Sequence, residues 1–183
     1  MVETVLETER LLLCTWDEAL IDEHIAHLNT PAVMRWLGPP RSRDEIVEMF
    51  ARLNATQAEQ GFSFWQIRLK RDGGLLGYCG LKRVNAEGTS LTGEFEIGWG
   101  LREDAWGQGY ACEAASAALD RAFSVHGALQ VVAFTVAGNT GSWRLMERLG
   151  MRRRAELDFD DPAFDADLNP TIVYSIARDQ WTA

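Results

Sequence analysis

Cysteine is scarce in this 183-residue chain, and Cys14, Cys79 and Cys112 lie far apart with no CxxC pairing. Neither a disulfide framework nor a thiolate zinc site follows from such spacing. Histidine is equally rare, and His24 and His27, three residues apart, have no acidic or cysteine partner at metal spacing. Both read as surface histidines, and no metal is expected. Basic residues are outnumbered, 18 Lys and Arg against 27 Asp and Glu, and the net charge of -9 excludes a surface that tracks nucleic-acid phosphates. The run Arg152-Arg153-Arg154 is too short to alter that. No apolar run approaches the ~20 residues of a membrane helix. The opening Met1-Val2-Glu3-Thr4 has neither the basic start nor the apolar stretch of an export signal. The expected setting is the reducing cytoplasm, with neither nucleic acid nor a membrane as partner.

What is present is an ordinary globular composition, 46% hydrophobic and 25% charged with seven Trp, enough for one compact domain over residues 1–183. Residues 10–15 read as a strand. Leu20, Ile21, Ile25 and Leu28 then recur at helical spacing. Ser42 and Glu45 form a capping-box pattern that opens a helix to about residue 60. Strand-like runs at 62–69 and 75–84 flank Asp72-Gly73, a hairpin signal, and a further hairpin leads into 91–101. From 109 to 125, Ala111, Ala115, Ala118 and Ala122 share one helical face, small enough to sit close against a sheet. A strand at 129–136, a helix at 140–149 stopped by Gly150, and strands at 151–159 and 171–177 complete the chain. This order predicts an α/β (α+β) fold with a mixed, mostly antiparallel sheet and one parallel crossover pair. A ligand should sit where the strand arrangement changes, near Leu101 and the helix opening at Gly109.

The densest chemical signal lies there. Ile97-Gly98-Trp99-Gly100-Leu101 leads through a short loop to Trp106-Gly107-Gln108-Gly109-Tyr110-Ala111, a glycine-rich turn opening a helix. Glycines let the backbone approach a ligand, and the free N–H groups of a helix start suit a diphosphate. No Gly-Lys-Ser/Thr follows, so the turn is no Walker A loop; Cys112 replaces the third glycine of GxGxxG, so it is no dinucleotide fingerprint. The turn resembles instead the acyl-CoA pyrophosphate loop of the GNAT N-acyltransferase superfamily, in which Arg or Gln, two residues, Gly, one residue, then Gly or Ala recur. Gly109 and Ala111 fit that pattern, while Trp106 takes the first place, as in the RimJ/RimL-like branch that modifies ribosomal-protein N-termini. The opening Thr8-Glu9-Arg10-Leu11-Leu12-Leu13, the Glu96-Ile97-Gly98-Trp99 segment and Asn139-Thr140-Gly141-Ser142 agree with the same branch; Cys14 departs from it, replacing an Arg.

The resemblance implies about seven strands and about four helices, with a V-shaped opening between strands 4 and 5 that takes pantetheine. It implies acetyl-CoA as cosubstrate and a primary amine as acceptor. The backbone of Trp99, Gly100 and Leu101 would meet the pantetheine amides and the thioester carbonyl. Trp106, Gly107, Gln108, Gly109, Tyr110 and Ala111 would hold the diphosphate. Asn139 would bond pantetheine while capping its helix, and Ser142 would donate a proton to the departing thiolate. Glu96, with Glu94 as second candidate on the same strand face, would take the ammonium proton. Tyr174 could line the acceptor pocket. The acidic run Glu156, Asp158, Asp160, Asp161, Asp165 and Asp167 would overhang it and steer a cationic amine. A protein N-terminus and a small-molecule amine stay open as acceptors, as does a non-catalytic acyl-CoA-binding module. An exposed sheet edge and the many Trp are compatible with a homodimer.

Overall fold

The computed structural model describes residues 2–182. Eight strands form one sheet in the order β1-β2-β3-β4-β5-β6-β8-β7, the ranges being β1 Thr4–Glu7, β2 Leu11–Cys14, β3 Phe64–Leu69, β4 Leu75–Arg83, β5 Phe95–Leu101, β6 Gln130–Val136, β7 Arg152–Arg153 and β8 Thr171–Ala177. Five helices accompany it: α1 Ile21–Leu28, α2 Pro31–Met34, α3 Arg43–Gln60, α4 Tyr110–Ser124 and α5 Thr140–Arg148. Every neighbouring pair is antiparallel except β5 and β6, which are joined through α4. The mixed, mostly antiparallel sheet is the architecture expected from the sequence.

The differences from expectation are local. β1 is an additional first strand, so the opening lies between β5 and β6 rather than between strands 4 and 5. Its four residues carry little alternation, and it forms by pairing with β2 across the Thr8–Leu11 turn. The strand expected at 151–159 shrinks to Arg152–Arg153, because Ala155–Leu157 winds into a 3-10 turn and only an isolated bridge joins Phe159 to Thr171. α2 is a short helix that the apolar periodicity did not announce; Thr30 caps it by accepting from the Val33 N–H, and Pro31 opens its first turn.

Sheet, helix and core follow from the pattern of apolar residues. On one face, Trp65, Ile67, Cys79, Leu81 and Ile97 are buried against Ala114, Ala115, Ala118, Leu119 and Ala122 of α4. A fully buried Leu or Ile in such a core contributes about 1.5–3 kcal/mol. On the other face, Trp16, Ile21, Ile46 and Phe50 join α1 and α3 in a separate cluster. The Ser42 hydroxyl accepts from the Glu45 N–H at 3.3 Å while the Glu45 carboxylate accepts from the Ser42 N–H at 2.7 Å, so the capping box opens α3 as its sequence implies.

One feature of topology positions the site. β5 and β6 pair only at Phe95 with Val131 and at Glu96 with Val132. Beyond Glu96, β5 keeps β4 on one edge while β6 keeps β8, and the edge of residues 97–101 that faces β6 has no strand partner.

Candidate active site

The helix start beside this opening is shaped by two glycines. Gly107 and Gly109 adopt φ of 73° and 82°, a left-handed conformation that disfavours L side chains, and Gly109 directly precedes α4. Among the described residues, no acceptor pairs with the N–H of Gly107, Gln108, Gly109, Tyr110, Ala111 or Cys112. Such a nest of amides at a helix N-terminus is built for an anion. A diphosphate group fits it.

Side chains around the turn brace it. The Trp106 indole Nε1 donates to the Leu101 carbonyl at 2.8 Å, and Gln108 Nε2 donates to the Asp104 carbonyl at 2.7 Å. The first of these bonds ties the turn to the end of β5. Arg10, from the turn before β2, reaches across: Nη1 donates to the Gln108 carbonyl at 3.0 Å, and the guanidinium lies 4.4 Å from the Tyr110 ring centre. Arg10 Nε also meets Glu113 at 2.6 Å, and Glu113 accepts from the Arg10 N–H at 2.8 Å and from Thr8 Oγ1 at 2.6 Å. Burial alone would push the Glu113 carboxyl up, but these donors outweigh it and hold it below the usual carboxylate range.

A cleft of about 1200 Å³ runs from the β5–β6 opening to α1, α3 and the loop at 161–168. Glu96, Trp99, Asn139 and Ser142 line it; Glu94 does not. Glu94 sits in the turn before β5, where its carbonyl accepts from Val84, because Gly93 at φ 89° keeps residues 91–94 out of the strand. The shared face expected for the two glutamates is thus not formed. Asn139 caps α5 by accepting from the Ser142 N–H at 3.4 Å, and the Ser142 hydroxyl has no partner among the described residues. Trp99 packs its side chain against the α4-side core and also lines the cleft.

Glu96 is 9% exposed. Burial pushes its carboxyl above the usual range, Lys82, whose Nζ lies 3.2 Å from Oε2, pulls it part-way back, and Asp161 adds to the rise. That contact is an ion pair without hydrogen-bond alignment, for Oε2 has no hydrogen-bond partner among the described residues. His24 Nδ1 and Ser63 Oγ, both buried at the cleft floor, are likewise unpartnered. A buried polar group left without any partner costs about 1–3 kcal/mol, so these atoms are ready donors or acceptors for a ligand in the cleft.

Residues 10–152 match the acetyltransferase (GNAT) domain. The chain belongs to the GNAT acetyltransferase family. An uncharacterized protein of Bacillus subtilis strain 168, YkkB, is 31% identical over 150 residues, covering 81% of this chain and 86% of its own. An acetyltransferase of Agrobacterium tumefaciens C58 superposes with a TM-score of 0.77 at 26% identity, over 93% of this chain and 92% of its own. A RimL ribosomal L7/L12 alpha-N-protein acetyltransferase shares the fold, with a TM-score of 0.76 at 16% identity over 97% and 95% of the two chains. Acetyl-CoA is the cosubstrate of this GNAT domain, and the amide nest is the part of it that fits the cosubstrate's diphosphate.

Four features of the structure correct or extend the sequence reading. His24 is no surface residue: it is 4% exposed, its ring 5.6 Å from Trp16 and 5.3 Å from Phe50. Its spacing to Ile21 and Leu28 carried that signal. Tyr174 is buried in the core and does not line the cleft. Of the acidic run, Glu156 and Asp158 pair with Arg154 and Arg153, and only Asp161 lines the cleft. The Arg10–Glu113 latch was missed; 103 residues separate its partners. Among the described residues no cluster of metal-ligand side chains occurs, and no helix is long and apolar enough to cross a membrane.

Proposed function

We propose that the protein is an N-acetyltransferase in which a primary amine attacks the acetyl-CoA thioester directly. The observation that carries this reading is Glu96: more than nine-tenths buried, raised by burial above the usual carboxylate range, ion-paired at Oε2 with Lys82 alone, and placed where β5 loses β6. A carboxylate so tuned is suited to take a proton from an ammonium, directly or through water. Acetyl-CoA supplies the activated acetyl group. The backbone of Trp99 and Gly100 holds the pantetheine arm and turns an N–H towards the carbonyl oxygen that gains charge. Asn139 steadies the arm from α5. Ser142 offers its hydroxyl proton to the departing sulfur and regains one from solvent; the nitrogen loses two protons, one to Glu96 before attack and one to solvent after the N–C bond forms, so the acetyl passes from sulfur to nitrogen, one proton reaches the thiol and one is released in net.

The test is acetyl-CoA-dependent thiol release across a panel of amines, with Glu96→Gln and Ser142→Ala beside the parent protein. Glu96→Gln is expected to lower kcat/KM about 100-fold and to erase the lower limb of the pH–rate profile, with the acetyl-CoA thermal shift retained. An unchanged profile would remove Glu96 from the role. A thermal shift with acetyl-CoA but no thiol release with any amine would favour a binding module. The RimL-like architecture makes a protein N-terminus one acceptor to include.

A further inference from the structure

The acceptor end of the cleft has a distinctive surface. Glu96, Gly98 and Gly100 alternate along β5 and so share one face; Gly98 registers with Gly80, which registers with Phe64, and Gly100 registers with Tyr78. No side chain covers the sheet at these glycines, and aromatic rings lie over them instead. A Cβ at Gly100 would come within 2.6 Å of the Tyr78 ring, and one at Gly98 within 3.0 Å of the Phe64 ring. The rings continue inwards, Phe64 to Tyr78 at 6.1 Å, Tyr78 to Trp16 at 6.4 Å and Trp16 to His24 at 5.6 Å.

The charges at this end are few and balanced. The cleft is lined by three acidic side chains, Glu87, Glu96 and Asp161, and by four basic ones, Arg41, Arg52, Lys82 and Arg83. Glu96 and Asp161 are both more than nine-tenths buried, and Lys82 already answers one of them. Because Lys82 pairs with Glu96, the one of these two carboxylates without a salt-bridge partner among the described residues is Asp161, whose charge acts on Glu96, and the two together leave one negative charge for one ammonium. Further positive charges would meet Arg41, Arg52 and Arg83, against which the lining sets the single carboxylate of Glu87.

Resting on the acetyltransferase reading above, we infer that the acceptor is a monoamine borne on an apolar, ring-sized body, its nitrogen beside Glu96 and its body on the Phe64–Tyr78 floor. Glu96 and the Phe64 ring are two residues apart along the strand direction, about 7 Å. That span suits a ring one or two methylenes from the nitrogen. Polyamines and aminoglycosides, with several charges and little apolar surface, do not fit the lining. The same chemistry is offered by a free arylalkylamine and by the first residue of a peptide that begins with an aromatic or large apolar side chain.

The experiment compares phenethylamine, spermidine, kanamycin, and two heptapeptides beginning with Phe or with Ser, each with acetyl-CoA and the full chain. Phenethylamine or the Phe peptide is expected to exceed spermidine, kanamycin and the Ser peptide at least tenfold in kcat/KM, and which of the two leads identifies the source. Equal rates, or preference for a polycation or the Ser peptide, would overturn the inference and leave the acetyltransferase reading intact. Calorimetry on the CoA-loaded protein reads the same subsite without turnover: phenethylamine should bind and spermidine should not, and the reverse would overturn the inference even if no amine is acetylated. Phe64→Leu should lower the preference for phenethylamine over n-butylamine at least fivefold, its acetyl-CoA thermal shift serving to show that it folds. An unaltered preference in that folded variant would count against the ring floor.

Discussion

The two ends of the groove are made of different material. At the proposed diphosphate end the free donors are backbone amides of residues 107–112, and Trp106, Gln108, Arg10 and Glu113 brace the turn behind them. At the proposed acceptor end the surface is made of side chains; His24 and Ser63 carry buried polar atoms with no partner among the described residues, and Glu96 Oε2 has only the Lys82 ion pair. A backbone nest tolerates many sequences, provided that its glycines and braces hold the shape. A side-chain floor is specified atom by atom, and its unpartnered groups store a cost that an occupant can relieve.

The sharpest way to expose that stored cost is pH. Burial, with Arg41 adding to it, lowers His24 from 6.5 to about 4, so the folded state refuses a proton that the unfolded chain accepts. Stability from this group is therefore full above pH 6.5 and lost as pH falls towards about 4, a loss of about 3 kcal/mol. Urea unfolding of the parent and of His24→Gln at pH 7 and pH 4 measures it; the variant should lose about 3 kcal/mol less over that interval. Parallel losses in both would mean that the floor stores nothing at His24.

Breaking the braces should have smaller and differently placed effects. Arg10→Ala removes the bond to the Gln108 carbonyl and the pair with Glu113, and should raise KM for acetyl-CoA about 30-fold, or about 2 kcal/mol after allowance for partial exposure. Acetyl-pantetheine, which lacks the diphosphate, should show no such change. If the parent protein itself does not prefer acetyl-CoA to acetyl-pantetheine, the turn is no diphosphate site; if it does and Arg10→Ala keeps that preference, the brace is idle. Trp106→Phe loses a single 2.8 Å bond, about 1 kcal/mol, and should raise the same KM about fivefold. A rise as large as that of Arg10→Ala would mean that the indole touches the cosubstrate instead of merely tying the turn to Leu101.

The same contrast explains what could be read in advance. The turn at 106–111, the capping box of Ser42 and Glu45 and the small face of α4 are local patterns, each set within a few residues by glycine conformation, capping chemistry or helical period. The opening between β5 and β6 followed from one crossover in an otherwise antiparallel order. The acceptor floor draws on Trp16, His24, Phe64 and Tyr78, which meet only after three elements have packed, and no short motif announces them. Glu94 was misplaced because alternation was extended through residues 91–94, where Leu91 and Gly93 in fact close a turn. β1 and the shortened β7 show the converse: two-to-four-residue strands are held by their neighbours and leave little trace in their own residues.

The bare glycine strip has a consequence for how this molecule can change over time. A methyl group at Gly80 would stand 2.1 Å from the Ser63 carbonyl, and at Gly100 2.6 Å from the Tyr78 ring, so a side chain at the first would displace the neighbouring strand and one at the second would displace the Tyr78 ring. Descendants that come to acetylate something new must therefore vary α1, α3 and the segment around Asp161, the walls facing the strip. Novelty in this lineage is confined to the roof while the floorboards stay fixed.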